Sequence, residues 1–145
     1  MPGLDRLVAP VVDSEMTMKI ATISLLVADY DDAIRFYCDK LGFALVADIP
    51  LGAGKRWVLV APPGGSGARL LLAQADGEEQ RAAVGRQAGG RVMLFLETDD
   101  FARDHLRMVE DGVRFIEAPR HEAYGSVAVF EDLYGNKWDL IEPRA

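Results

Sequence analysis

Residues 19–27 read KIATISLLV, a run rich in β-branched residues and leucine that predicts a strand covered on both faces. Asp29 stands where a helix N-cap belongs, and Asp31 and Asp32 fall in the first turn, where the helix dipole favours carboxylates. Ala33, Ile34, Tyr37 and Leu41 follow at helical spacing, and Gly42 is placed to stop the helix. Three strand-like runs come next, at 44–49, 56–61 and 68–73. Pro50, Gly52 and Gly54 separate the first pair, and PPGGSG at 62–67 separates the second. The polar, glycine-rich stretch 76–90 predicts a linker with one or two helical turns.

The pattern then recurs. Residues 91–97 predict a strand, and Thr98 or Asp99 caps a helix carrying Phe101, Ala102, His105, Leu106 and Val109 up to Gly112. Strand runs follow at 113–117, 126–131 and 137–142, the last two joined by the turn sequence DLYGN at 132–136. Asp29 to Gly42 and Asp99 to Gly112 have the same spacing, so the order β-α-β-β-β occurs twice. The fold class expected is α+β, with two βαβββ modules at 19–75 and 91–143 and a linker at 76–90. A lone half of roughly fifty-five residues would be marginal, so both halves should share one core in a single domain, 19–145. Two curved sheets forming a cleft, each with a helix on its outer face, is the expected arrangement. Residues 1–18 show no clean period and are expected to be an N-terminal arm, free or lying across a partner subunit.

Composition narrows the partners. Half of the 145 residues are apolar, which suits a packed globule rather than disorder. The formal charge of −7 disfavours nucleic acid and draws cationic molecules at short range. Cys38 is the single cysteine, so no disulfide closes within the chain. No apolar run approaches the length of a membrane-spanning helix, and the first residues make a poor signal peptide, so a cytoplasmic location is expected.

Two motifs carry a family likeness: ISLLVADYDDAIRFYCDKLGF at 23–43 and YGSVAVFEDLYGNKWDLIEP at 124–143. With the repeat, they make the chain resemble the vicinal oxygen chelate superfamily of glyoxalase, bleomycin-resistance and extradiol dioxygenase proteins over residues 19–143. The resemblance implies the two-module cleft fold. It also implies, in metal-using members, four His, Gln or Glu ligands on the first and last strand of each half. Those positions fall here on Thr22, Leu71, Met93 and Asp139, of which only Asp139 is a competent donor. Neither histidine, His105 or His121, lands on one of them, so no metal and no cofactor are expected.

Strand alternation fills in the expected cleft. Thr22 should share a face with Ser24, Leu71 with Arg69 and Ala73, Met93 with Arg91, Phe95 and Glu97, and Asp139 with Lys137 and Ile141. Such a lining, apolar and aromatic with few charges, suits a small-molecule pocket. Asp139 either pairs with Arg91 or Arg69, or receives a cationic or hydrogen-bonding ligand, or acts as a general base. The loop RHEAYG, 120–125, brings His121, Glu122 and Tyr124 to the rim, as a polar surface or as an anchor over a ligand. Trp57 and Trp138 read as core or sheet-packing residues, or as stacking faces for a planar ligand. Cys38 reads as packing.

The leading expectation is a metal-independent binder of a cationic or aromatic small molecule, similar to the bleomycin-resistance type. The catalytic alternative is a glyoxalase-like lyase or isomerase, or a dioxygenase, with a displaced metal site or an acid–base pair of Asp139 and His121. A third reading is a sensing module whose ligand alters its dimer. A homodimer is expected from the fold, whose curved sheets leave edges to cover.

Overall fold

A computed structural model describes residues 16–144; the expected arm lies mostly outside the described residues. The first module contains β1 (Thr22–Val27), α1 (Tyr30–Ile34), β2 (Ala44–Gly52), β3 (Lys55–Ala61) and β4 (Arg69–Gln74). A short helix, α2 (Glu78–Ala83), lies in the linker. The second module contains β5 (Val92–Glu97), α3 (Phe101–Glu110), β6 (Arg114–Phe115), β7 (Arg120–Glu122), β8 (Gly125–Glu131) and β9 (Lys137–Pro143).

The first module makes a four-stranded sheet in the order β1-β4-β3-β2, and the second a five-stranded sheet in the order β5-β9-β8-β6 with β7 also on β8. In each, the first and last strands pair parallel and the remainder antiparallel. Asp29 caps α1 through its side chain, which accepts from the Asp32 amide at 2.9 Å. Beyond Ile34 the helix widens to π-type turns over Arg35–Lys40, and Leu41 N–H donates to the Phe36 carbonyl at 3.1 Å.

Local details depart from the sequence reading. The cap of α3 is Asp100, whose side chain accepts from Arg103 N–H, rather than Thr98 or Asp99. Thr98 Oγ1 instead accepts from Asp100 N–H and donates to Asp104. The segment 120–125, expected as a loop, includes the strand β7, while the run at 113–117 shortens to Arg114–Phe115. There the Glu117 side chain turns back to accept from Val129 N–H (3.2 Å) and Arg120 Nε (3.1 Å).

One buried cluster joins the modules. Leu25 and Val27, Val58 and Val60, and Leu70 and Leu72 supply the first sheet's core face; Ala128, Phe130, Trp138 and Leu140 supply the second's. Tyr37, in the π-type extension of α1, has its ring centroid 5.9 Å from that of Trp138, and Trp138 stacks on Phe130 at 5.8 Å. Tyr37 OH donates to buried Asp132 Oδ2 at 2.8 Å, and Asp132 also accepts from Tyr134 N–H, Asn136 N–H and Asn136 Nδ2. The DLYGN turn is therefore a socket for a helix of the other module, and burial with the Asp132 charge raises the Tyr37 phenol well above its ordinary value. Arg107 of α3 donates to the Leu41 carbonyl at 3.1 Å, fastening the two helix ends. The first helical segment covers one face of its own sheet, packing on β3 and β4, and through Tyr37 also touches the second module; the open face of each sheet lies opposite the buried cluster.

Candidate functional site

Strand register assigns each candidate to a face. On the second sheet, Phe95 pairs with Asp139, and Asp139 with Val129, while the alternate residues Leu94, Trp138 and Phe130 point into the core. Phe95 and Asp139 are thus side by side on the open face, Phe95 being 65% exposed. Asp139 is half-buried, and its Oδ1 is buried without a hydrogen-bond partner.

Burial raises the Asp139 carboxyl above its ordinary range; Arg120 opposes the shift and Glu117 adds to it. Arg120 is already shared, bonding Glu117 at 3.1 Å, lying 3.5 Å from Glu122 and donating to Tyr124 OH at 3.3 Å. Three carboxylates therefore share one guanidinium, and Asp139 is the one without a direct bond to it. The arrangement presents an underbonded acceptor next to an exposed aromatic ring, which suits a ligand with a hydrogen-bond donor on a flat apolar body.

Neither Arg91 nor Arg69, the partners expected for Asp139, pairs with it among the described residues; the guanidinium that acts on it is that of Arg120, brought nearer by the pairing of β7 with β8 but without a direct bond. His121 lies on the other face of β7: its Nδ1 is 2.8 Å from Ser126 Oγ, and its ring meets Phe101 edge-on at 6.4 Å. An acid–base pair of His121 and Asp139 is therefore not assembled in this chain. His105, stacked on Phe101 and 4.3 Å from the Phe115 ring centroid, belongs to the same aromatic group.

Met93 is also displaced. A register shift between Val92 and Leu94 turns it onto the core cluster, so it does not share a face with Phe95. Arg91 is exposed where the linker ends, its N–H donating to the Ala88 carbonyl. Thr22, Ser24, Leu71 and Trp57 are brought together on the open face of the first sheet, since their neighbours Ile23, Leu25, Leu70 and Val58 face the core. Trp57 is 40% exposed and is not a core residue, whereas Trp138 is.

A groove of about 610 Å³ runs between the modules over Phe43, Leu94, Phe95 and Trp138, with another of about 560 Å³ beside it. A third hollow of about 290 Å³ lies at Trp57 and Leu71. None of these three reaches Asp139. The two half-sets of candidate residues thus occupy separate open faces. Arg120 and Glu117, missed from the sequence, join the second set through the turn-back of β7. A hydroxyl, an isobutyl group, a half-buried thioether and one carboxylate do not fit a tightly held divalent ion, and among the described residues no three His, Cys, Asp or Glu side chains cluster as ligands.

Paired βαβββ modules packed on one buried cluster define a fold class. Within it, the chain belongs to the Glyoxalase/Bleomycin resistance protein/Dioxygenase superfamily, whose family model matches residues 19–140. It is 55% identical over 128 residues to an uncharacterized protein of Shewanella frigidimarina (strain NCIMB 400), covering 88% of this chain and 95% of that one. Among solved structures it resembles UcmS2 (27% identity, TM-score 0.76, covering 87% of this chain and 98% of that one). It also resembles TnmS3, an antibiotic binding protein from Streptomyces sp. CB03234 (32% identity, TM-score 0.73, covering 88% and 98%).

Proposed function

We propose that this protein is a metal-independent sequestering protein for a small molecule with a flat aromatic body and a cationic or hydrogen-bond-donating group. The observation that carries the reading is the half-buried Asp139 carboxylate, without a direct ion pair, beside the exposed Phe95 ring. A bound cation would approach the exposed side of that carboxylate, and the ring would stack on the ligand. The family and the antibiotic-binding relative support a small-molecule ligand. The surplus of carboxylates over Arg120 favours a cation over an anion.

The binding site closes across a homodimer, in which the Trp57 and Leu71 face of one copy covers the Asp139 face of the other. The separation of these half-sets within one chain, together with the exposure of Ile49, Leu51, Trp57 and Phe95, supports this arrangement. Among the described residues no helix is long and apolar enough to cross a membrane, and the single cysteine supports placing the protein in the cytoplasm.

The test is titration of the protein with a cationic acridine dye, followed by fluorescence and by sedimentation. Saturable micromolar binding by a dimer is expected, weakened more than tenfold by Asp139→Asn and by Phe95→Ala. Absence of saturable binding, or binding indifferent to both substitutions, refutes the reading.

A further inference from the structure

The linker does more than connect the modules. The Gln87 side-chain amide lies against the outer edge of β1: its Nε2 donates to the Ser24 carbonyl at 2.6 Å, and its Oε1 accepts from Leu26 N–H at 2.8 Å. In a parallel ladder, a residue opposite Leu25 would make this pair of bonds, donating to the carbonyl before it and accepting from the amide after it. The primary amide therefore occupies the place of one residue of a further parallel strand. Its position is fixed from the second module. Gln87 N–H donates to Asn136 Oδ1 at 3.4 Å, and Asn136 Nδ2 donates to Asp132 Oδ2 at 2.9 Å.

The protected edge is the one most in need of protection. The β1–β4 register runs unbroken from Thr22 to Val27. The outer strand at the sheet's other side, β2, carries Pro50 and register shifts at Leu45/Ala47 and Pro50/Gly52, and β5 is shifted at Val92/Leu94. Bulges and proline blunt an edge against strand addition; β1 has neither, and its sequence TISLLV is strongly β-forming. Each copy has a single free β1 edge, the other being taken by β4, so pairing of β1 with the β1 of a second copy joins two units and uses up both edges.

We propose that Gln87 is a built-in substitute strand that keeps the outer edge of β1 shut, and that the partner this edge takes once Gln87 is removed is the β1 segment of a second copy. The full chain is compared with Gln87→Ala and Gln87→Glu. Glu keeps the acceptor for Leu26 N–H and cannot donate to the Ser24 carbonyl, and it carries the same test if the alanine variant fails to fold by circular dichroism. Amide exchange at Leu26 should accelerate at least tenfold in the alanine variant and less in the glutamate variant. Sedimentation should show concentration-dependent species larger than those of the parent, and a labelled TISLLV peptide should bind the variants and not the parent. Unchanged Leu26 exchange, unchanged sedimentation, or equal peptide binding by parent and variants overturns the proposal. Loss of acridine binding has no bearing on it, so its failure is separate from that of the sequestration reading.

Discussion

Replacing Asp139 by asparagine should stabilise the protein while weakening ligand binding. At neutral pH the ordinary form of this side chain is the carboxylate, yet Oδ1 is buried without a donor and Glu117 lies nearby. Asparagine keeps a polar atom at that place but removes the charge, so the gain is the desolvation penalty of the carboxylate, roughly 1–3 kcal/mol when buried and near the lower end, about 1 kcal/mol, at a half-buried position. With an unfolding entropy of about 2.1 cal/mol/K per residue, that corresponds to a Tm gain of about 3 °C for a chain of this length. The sign with pH follows from the raised carboxyl. The folded state holds its proton more tightly than the unfolded chain, so the parent loses stability as pH rises from the ordinary carboxylate range through the raised value. The advantage of Asp139→Asn is therefore full above that window and fades as pH falls below about 4, where the unfolded chain too becomes protonated. Calorimetry of parent and variant from acid to mildly alkaline pH measures it. No gain at alkaline pH, or a gain that grows on acidification, refutes the reasoning.

Tyr37→Phe removes one donor to buried Asp132 and should cost about 1.5–3 kcal/mol, the range for hydrogen bonds to charged groups, measured by urea unfolding. Gly85 has φ +80°, and a Cβ there would meet the Tyr134 carbonyl, so Gly85→Ala should cost at least about 2 kcal/mol by the same assay. Burial holds the His105 imidazole below its ordinary range, so its protonation opposes folding and stability falls as pH drops from about 6.5 through the depressed value. His105→Leu should flatten that part of the pH–stability profile. Phe95→Ala, at a 65% exposed position, should change stability by less than about 0.5 kcal/mol while reducing acridine binding more than tenfold.

The repeat of strand, capped helix and three strands was legible because it is written in local chemistry. Asp29 caps its helix within three residues of chain, and the alternation of β8 and β9 is visible residue by residue. Asp139 stood out because, of the four positions that the family resemblance implies as ligands, it alone carries a competent donor. The position of Met93 was not legible: a single register shift reverses the face of a strand residue, and nothing in VMLFLE marks where the shift falls. Arg120 was likewise hidden, because it reaches Glu117 and Tyr124 only once the segment expected as a loop pairs with β8. Trp57 shows the limit of hydrophobicity as a guide, since an apolar side chain lies 40% exposed on an open sheet face.

By itself, then, the sequence determined most of the elements and their duplicated order. Each depends on periodicity, capping and residue type, which act over a few neighbours. Only the tertiary structure decided which faces meet. It placed Tyr37 in the Asp132 socket, divided His121 from Asp139 across the two sides of a sheet, left Oδ1 of Asp139 without a partner, and laid the Gln87 amide along β1. These relations join residues from both halves of the chain or from different strands, and they are set by strand register and the packing of one shared core, which no local pattern encodes.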